Sequence, residues 1–161
     1  MRPLSREEIL QAFSKKERKK VKLPEIDEID WENLDFLGWI HPSGHLGYVV
    51  YEFPSGLRGI ILERSTSVVG HGIRMCSWCY TLNTASKVRL FTYRIPGTNI
   101  TIGNYLCADL QCSLYIRKLK EPLVAQMQES LTISQKIERC KQNVEKFFNK
   151  IDEIYNKYNK K

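Results

Sequence analysis

Three observations predict an α+β chain with an N-terminal helix, an antiparallel β-sheet, a cysteine-braced lobe and a long C-terminal amphipathic helix. Short strand-like runs flank Gly- and Pro-containing turns, twice over. Apolar residues recur at three- and four-residue intervals near the C-terminus. Four cysteines form two close pairs, Cys76 with Cys79 (CSWC) before the second hairpin and Cys107 with Cys112 (CADLQC) just after it. The 161 residues suit a single domain over 1–161. A chain of that length buries about 70 % of its unfolded surface, enough for a genuine core.

Ser5-Arg6-Glu7-Glu8 reads as an N-cap followed by acids that complement a helix dipole. Ile9, Leu10 and Phe13 give that helix an apolar face. The cations Lys15, Lys16, Arg18, Lys19 and Lys20 then suit a helix C-terminus. Pro24 interrupts the pattern. Trp31, Leu34, Phe36, Leu37 and Trp39 are bulky, closely spaced and expected in the core. Gly47–Phe53 and Leu57–Leu62 flank Pro54-Ser55-Gly56 and predict a hairpin with a three-residue connection. Val88–Tyr93 and Asn99–Leu106 flank Ile95-Pro96-Gly97-Thr98 and predict a second. Strands so spaced form an antiparallel sheet. Ser65–Gly72 and Asn83–Lys87 read as loops. Ser113–Lys120 (SLYIRKLK) reads as a short helix ending near Pro122.

The last element is the most periodic. Ile133, Ile137, Cys140, Val144, Phe147, Ile151, Ile154 and Tyr158 line one face of a helix over about 132–159, with Thr132 and Gln135 as a capping box. Such a helix is roughly 40 Å long at about 1.5 Å per residue. It must pack on the N-terminal helix (Ile9, Leu10, Phe13), extend from the body, or pair with another chain.

The two cysteine pairs are separated by 27 residues, room for a hairpin. Two short-range thiol pairs that meet in space make the tetrahedral S4 site that Zn2+ prefers. Four thiolates leave no open coordination position, so the ion is structural. The Ser77-Trp78 turn can aim backbone N–H groups at sulfur. Cys112 opens the short helix, where the dipole favours a thiolate. A knuckle, a hairpin and a second pair at a helix start form the treble-clef layout, over about 72–120, with Cys76, Cys79, Cys107 and Cys112 as ligands. His71 lies close by but is not needed, and His41 and His45 have no evident partner. Cys140, the fifth cysteine, falls on the apolar helix face and reads as core.

Other chemistry is not visible. No apolar run approaches the ~18 residues of a membrane span. The N-terminus lacks a signal-peptide core. The expected setting is the cytoplasm, where paired cysteines hold metal more often than they form disulfides. There is no Gly-rich phosphate loop and no H-E-x-x-H or G-x-S-x-G motif, so no catalytic residues are expected. CSWC lacks the βαβ context of a thiol–disulfide catalyst. The net charge of +7 attracts RNA or acidic proteins. Candidate partner-binding residues are Met75 and Trp78 at the knuckle and Lys87, Arg89 and Arg94 along the intervening hairpin. Trp78 has two readings, an exposed anchor or a shield for the sulfurs. Arg89 and Phe91 alternate onto one strand face, Leu90 onto the other.

M-C-S-W-C, then G-N-Y-L-C-A-D-L-Q-C-S-L-Y-I-R, with W-E-N-L-D-F-L-G-W upstream, resembles the C-terminal treble-clef domain of the elongation factor G-binding, FusB-type fusidic acid resistance proteins. The resemblance runs from about Leu4 to the C-terminus. It implies a non-enzymatic protein that binds elongation factor G and promotes its release from the ribosome, with the zinc lobe making much of the contact. It carries the zinc ligands onto Cys76, Cys79, Cys107 and Cys112. The resistance proteins place a helical bundle ahead of this domain, so the chain is expected to be a shorter, stand-alone form. The alternative is a zinc-containing RNA- or ribosome-binding module.

Overall fold

The computed structural model describes residues 1–68 and 70–159. Val69, inside the Ser65–Gly72 loop, and residues 160–161 lie outside the described residues. The α+β expectation holds. Five antiparallel strands form the main sheet in the order β1-β2-β3-β6-β7: β1 (Leu37–Ile40), β2 (Leu46–Phe53), β3 (Gly56–Arg64), β6 (Val88–Arg94) and β7 (Thr101–Cys107). A two-stranded ribbon of β4 (Ile73–Met75) and β5 (Leu82–Thr84) carries the first cysteine pair. Helices α1 (Arg6–Gln11), α2 (Cys112–Ile116) and α3 (Ile133–Asn159) and three single-turn 3-10 helices (Arg18–Lys20, Ile26–Glu28 and Trp31–Asn33) make up the helical elements.

Strand β2 is buried on both faces, and its alternation divides the core in two. Val49 and Tyr51 point to one face, with Phe36, Leu62, Phe91 and the residues of α3. Tyr48 and Val50 point to the other, with Leu4, Ile9, Phe13, Leu37 and Trp39. The period-2 pleat enforces this division.

Both predicted hairpins form, with altered connections. Phe53 pairs directly with Gly56, so only Pro54 and Ser55 remain in the first turn. Gly56 joins the strand at φ 126°, a backbone that glycine adopts without strain. Strand β1 arises where the sequence showed only a bulky apolar run. Strand β4 follows the expected Ser65–Gly72 loop, and β5 takes Asn83 and Thr84 out of the loop expected over Asn83–Lys87.

The capping box at Ser5 forms, with Ser5 and Glu8 exchanging hydrogen bonds. The lysine run does not end helix α1, which stops at Gln11 with Ala12 as its C-cap. Ser14 and Glu17 form their own box, and this local alternative draws the backbone out of the helix.

Helix α3 begins where predicted, capped by Thr132 and Gln135. It does not pack on α1. Cys140, Val144, Phe147, Phe148 and Ile151 are buried against the opposite face of the sheet. Glu145 accepts a 2.5 Å hydrogen bond from Tyr51, and Asp152 accepts two from Arg58 at 2.7 and 2.8 Å. The segment SLYIRKLK is helical only to Ile116, because Lys118 turns left-handed at φ 57°.

Candidate metal centre

The knuckle is shaped by its backbone before any metal is considered. Cys76 N–H donates to Thr81 O at 3.0 Å, and Tyr80 N–H donates to Cys76 O at 2.9 Å. The Cys79 amide donates to the Cys76 sulfur. Closing so tight a turn takes Tyr80 to φ 62°, an uncommon conformation for a non-glycine residue. Ser77 N–H donates to Tyr105 O at 2.8 Å, which fastens the knuckle to β7, the strand that delivers Cys107.

All four sulfurs converge. Cys76, Cys79, Cys107 and Cys112 are buried, and their sulfurs lie within 4.8 Å of one another. Cys76 Sγ is 3.7 Å from Cys112 Sγ, and Cys79 Sγ is 3.6 Å from Cys107 Sγ. A tetrahedron with Zn–S near 2.3 Å has edges of about 3.8 Å. The donor set and its spacing therefore fit zinc. His71 stands exposed in its loop and is not among the clustered residues.

Electrostatics give the same answer. Burial pushes the Cys76 thiol up, but hydrogen bonds from the other three cysteines outweigh it and hold Cys76 well below the usual thiol range. Burial raises Cys79. Hydrogen bonds with Cys107 and Cys140 push Cys112 well above the usual range. Four thiolates cannot share this cavity unless a cation sits among them.

The four-residue gap in the second pair has a structural purpose. Leu110 turns left-handed at φ 58° and is buried. A Cβ on Gly38 would come within 2.7 Å of the Leu110 Cβ, and one on Gly47 within 2.9 Å of its Cδ1. The metal loop, with four residues between its cysteines where the first pair has two, thus drives a leucine between two glycines of the main sheet. Asp109 accepts hydrogen bonds from Tyr115 and Lys120, and Gln111 donates to Gly38 O.

The segments that carry the family resemblance meet directly. Arg117 makes two hydrogen bonds to Asp35, at 2.6 and 2.8 Å. The Asp35 side chain is only 7 % exposed. Ser113 Oγ accepts from the Asp35 amide. Helix α3 braces the knuckle from outside: Asn143 donates to Trp78 O at 3.0 Å, Phe147 packs on the Trp78 ring, and Arg139 lies 4.2 Å over Tyr80.

These neighbours decide between the readings of Trp78. It is fully buried between Phe36 and Phe147, so it is core beside the sulfurs and not an exposed anchor. Arg89 is also buried and spends its guanidinium on Ser65 O, so it too is unavailable to a partner. Its face is the one it shares with Phe91, as alternation required. Met75, Lys87 and Arg94 are exposed. Lys87 and Arg94 stand at opposite ends of β6, roughly 23 Å apart at about 3.3 Å per residue, and do not form one patch with Met75.

A cleft of about 750 Å³ lies beside Met75, between the knuckle and residues 115–129. Tyr80, Leu82 and Met127 line its apolar part and Lys118 and Lys120 its basic part. Leu119, Leu123 and Met127 are largely exposed. The Gln126 side chain bridges both backbone groups of Leu82, accepting at 2.8 Å and donating at 2.7 Å. It occupies the β5 edge as a strand would. Sequence reasoning missed this surface. Its only signal was a set of apolar residues after Pro122 that follow no helical or strand period.

A knuckle, a hairpin and a second pair that opens a helix define a treble-clef zinc protein. Residues 6–151 match the FBP C-terminal treble-clef zinc-finger family, and the chain belongs to it. Among solved structures, the fusidic acid resistance protein FusC is similar, with a TM-score of 0.57 and 23% identity over 70% of this chain and 52% of that one. The likeness to FusC is one of fold, and the chain spans about half of FusC's length. No curated protein matches.

Proposed function

We propose that this protein is a non-enzymatic, zinc-braced binder of translation elongation factor G that promotes release of the factor from the ribosome. Cys76, Cys79, Cys107 and Cys112 hold one structural Zn2+, and the ion supplies rigidity. The observation that carries the reading is the exposed apolar surface around Met75, Tyr80, Leu123 and Met127. It spans the knuckle held by the cysteine cluster and the facing segment 115–129, in a family that includes fusidic acid resistance proteins by resemblance. Exposed aromatic and Met side chains beside cations suit a protein interface. Lys118, exposed at its rim, would steer an acidic partner toward it. The working compartment is the cytoplasm, where the thiols stay reduced. Among the described residues, no helix is long and apolar enough to cross a membrane.

The test is a pull-down of purified elongation factor G by the zinc-loaded protein. A complex at micromolar concentration is expected, weakened about tenfold by Met75→Ala combined with Tyr80→Ala if these are hot-spot anchors. No complex at that concentration sinks the reading. Trp78→Ala is no use as an interface control, because it empties the core.

A further inference from the structure

We infer that the segment 15–22 is a docking surface for the phosphate backbone of RNA. It holds Lys15, Lys16, Arg18, Lys19, Lys20 and Lys22 against a single acid, Glu17, in a chain whose net charge is +7. The sequence offered a bland use for these cations, at the end of a helix dipole. The structure removes it, since α1 stops at Gln11. Ion pairing does not account for them either. Among the described residues, none of the five lysines forms a salt bridge. All five are exposed, and Glu17 is engaged by Ser14.

The backbone beneath them is fixed from the core. Tyr48 Oη donates to Lys20 O at 2.8 Å, and Trp39 Nε1 donates to Lys22 O at 2.8 Å. Arg18 Nε donates to Phe13 O at 3.0 Å. Two buried aromatic rings thus hold a lysine-studded loop in one shape, which lowers the ordering cost of binding. None of the exposed large apolar residues falls in this segment. A protein partner would want such an anchor, whereas a phosphate backbone needs only point charges. The loop packs with the Tyr48 and Val50 side of the sheet, through Phe13, Val21 and Leu23. The cysteine cluster lies on the other side, so the two surfaces do not compete.

Fluorescence anisotropy of a labelled RNA hairpin with the zinc-loaded full chain, over a salt series, tests this. Affinity should fall steeply with salt. Lys16→Gln, Lys19→Gln and Lys20→Gln together should cost about tenfold or more at low salt. They should also flatten the log–log slope by roughly 0.7–0.9 for each phosphate no longer neutralised. The same charge removed from α3, by Lys146→Gln, Lys150→Gln and Lys157→Gln, should cost much less. Equal losses from both triples would overturn the proposal, as would no RNA binding at low salt. So would a loop triple that impairs binding to phosphatidylserine vesicles or to elongation factor G and leaves RNA binding unchanged. A failed factor pull-down with loop-dependent RNA binding intact supports this surface and sinks only the factor reading.

Discussion

Val49 and Tyr51 of β2 look toward the cysteine cluster and α3, while Tyr48 and Val50, one residue out of step, look toward the N-terminal segment. The first side assembles parts from distant stretches of sequence: a knuckle, a metal loop and a helix that starts past residue 130. Its ribbon strands are three residues each, too short to hold register alone. Among the described residues, the second side has no cluster of metal-ligating side chains. Phe13 lies edge-on to Trp39 and Tyr48, seated on Gly59, where a Cβ would come within 2.8 Å of the ring. One side adds four converging thiols to the larger of the two apolar clusters. The other relies on aromatic packing of a contiguous stretch.

The largest expected effect lies on the metal side. Structural zinc contributes about 10–16 kcal/mol in zinc-finger peptides, comparable to a domain's whole net stability of about 5–15 kcal/mol. Cys107→Ser, or chelation at neutral pH, should therefore unfold the knuckle, α2 and the helix that braces them. Hydrogen exchange should show lost protection in β4, β5 and α2 with β1 and β2 still protected. Simultaneous loss everywhere would break the comparison and make the two sides one cooperative unit. Unchanged thermal stability would refute the structural role of the metal.

Phe13→Ala should cost about 3–5 kcal/mol in denaturant unfolding while the zinc-to-protein ratio stays at one. A variant that sheds zinc would show that the sides communicate through β2. The smallest effect concerns pH. Burial raises the Tyr93 phenol, on the metal side, from 10.0 to about 12, and burial also raises Tyr48 on the other. A group raised in the folded state contributes stability that is complete below its unfolded pKa and lost as pH rises through the folded one. Melting temperature should thus fall between about pH 10 and about 12, and less so in Tyr93→Phe. An identical pH profile in that variant would remove Tyr93 from the account.

The parts legible in the sequence were those encoded locally. Cysteine identity and spacing pointed to the metal set, because ligand chemistry admits few residue types. Pro54 and Gly97 marked the turns, and the three- and four-residue period marked α3 to within a residue. The parts not legible depend on distant partners. The fate of Trp78 rests on Phe36 and Phe147, more than forty positions away in either direction, and that of Arg89 on a carbonyl across the sheet. Strands β1, β4 and β5 have three or four residues each, at or below the shortest length at which alternation is readable. The exposed apolar strap after Pro122 follows no period because it packs as neither helix nor strand.

Leu110 has a consequence for evolution and engineering. It belongs to the metal loop, yet the space it fills is made by Gly38 and Gly47 of the sheet. The cysteine lobe is therefore not a portable cassette. Moved to a host with alanine at either position, it would bring its ligands but collide on arrival. Shortened to two residues between Cys107 and Cys112, the loop would leave a hole in the host it came from. Loop length and the two glycines form a matched set, to be exchanged together or not at all.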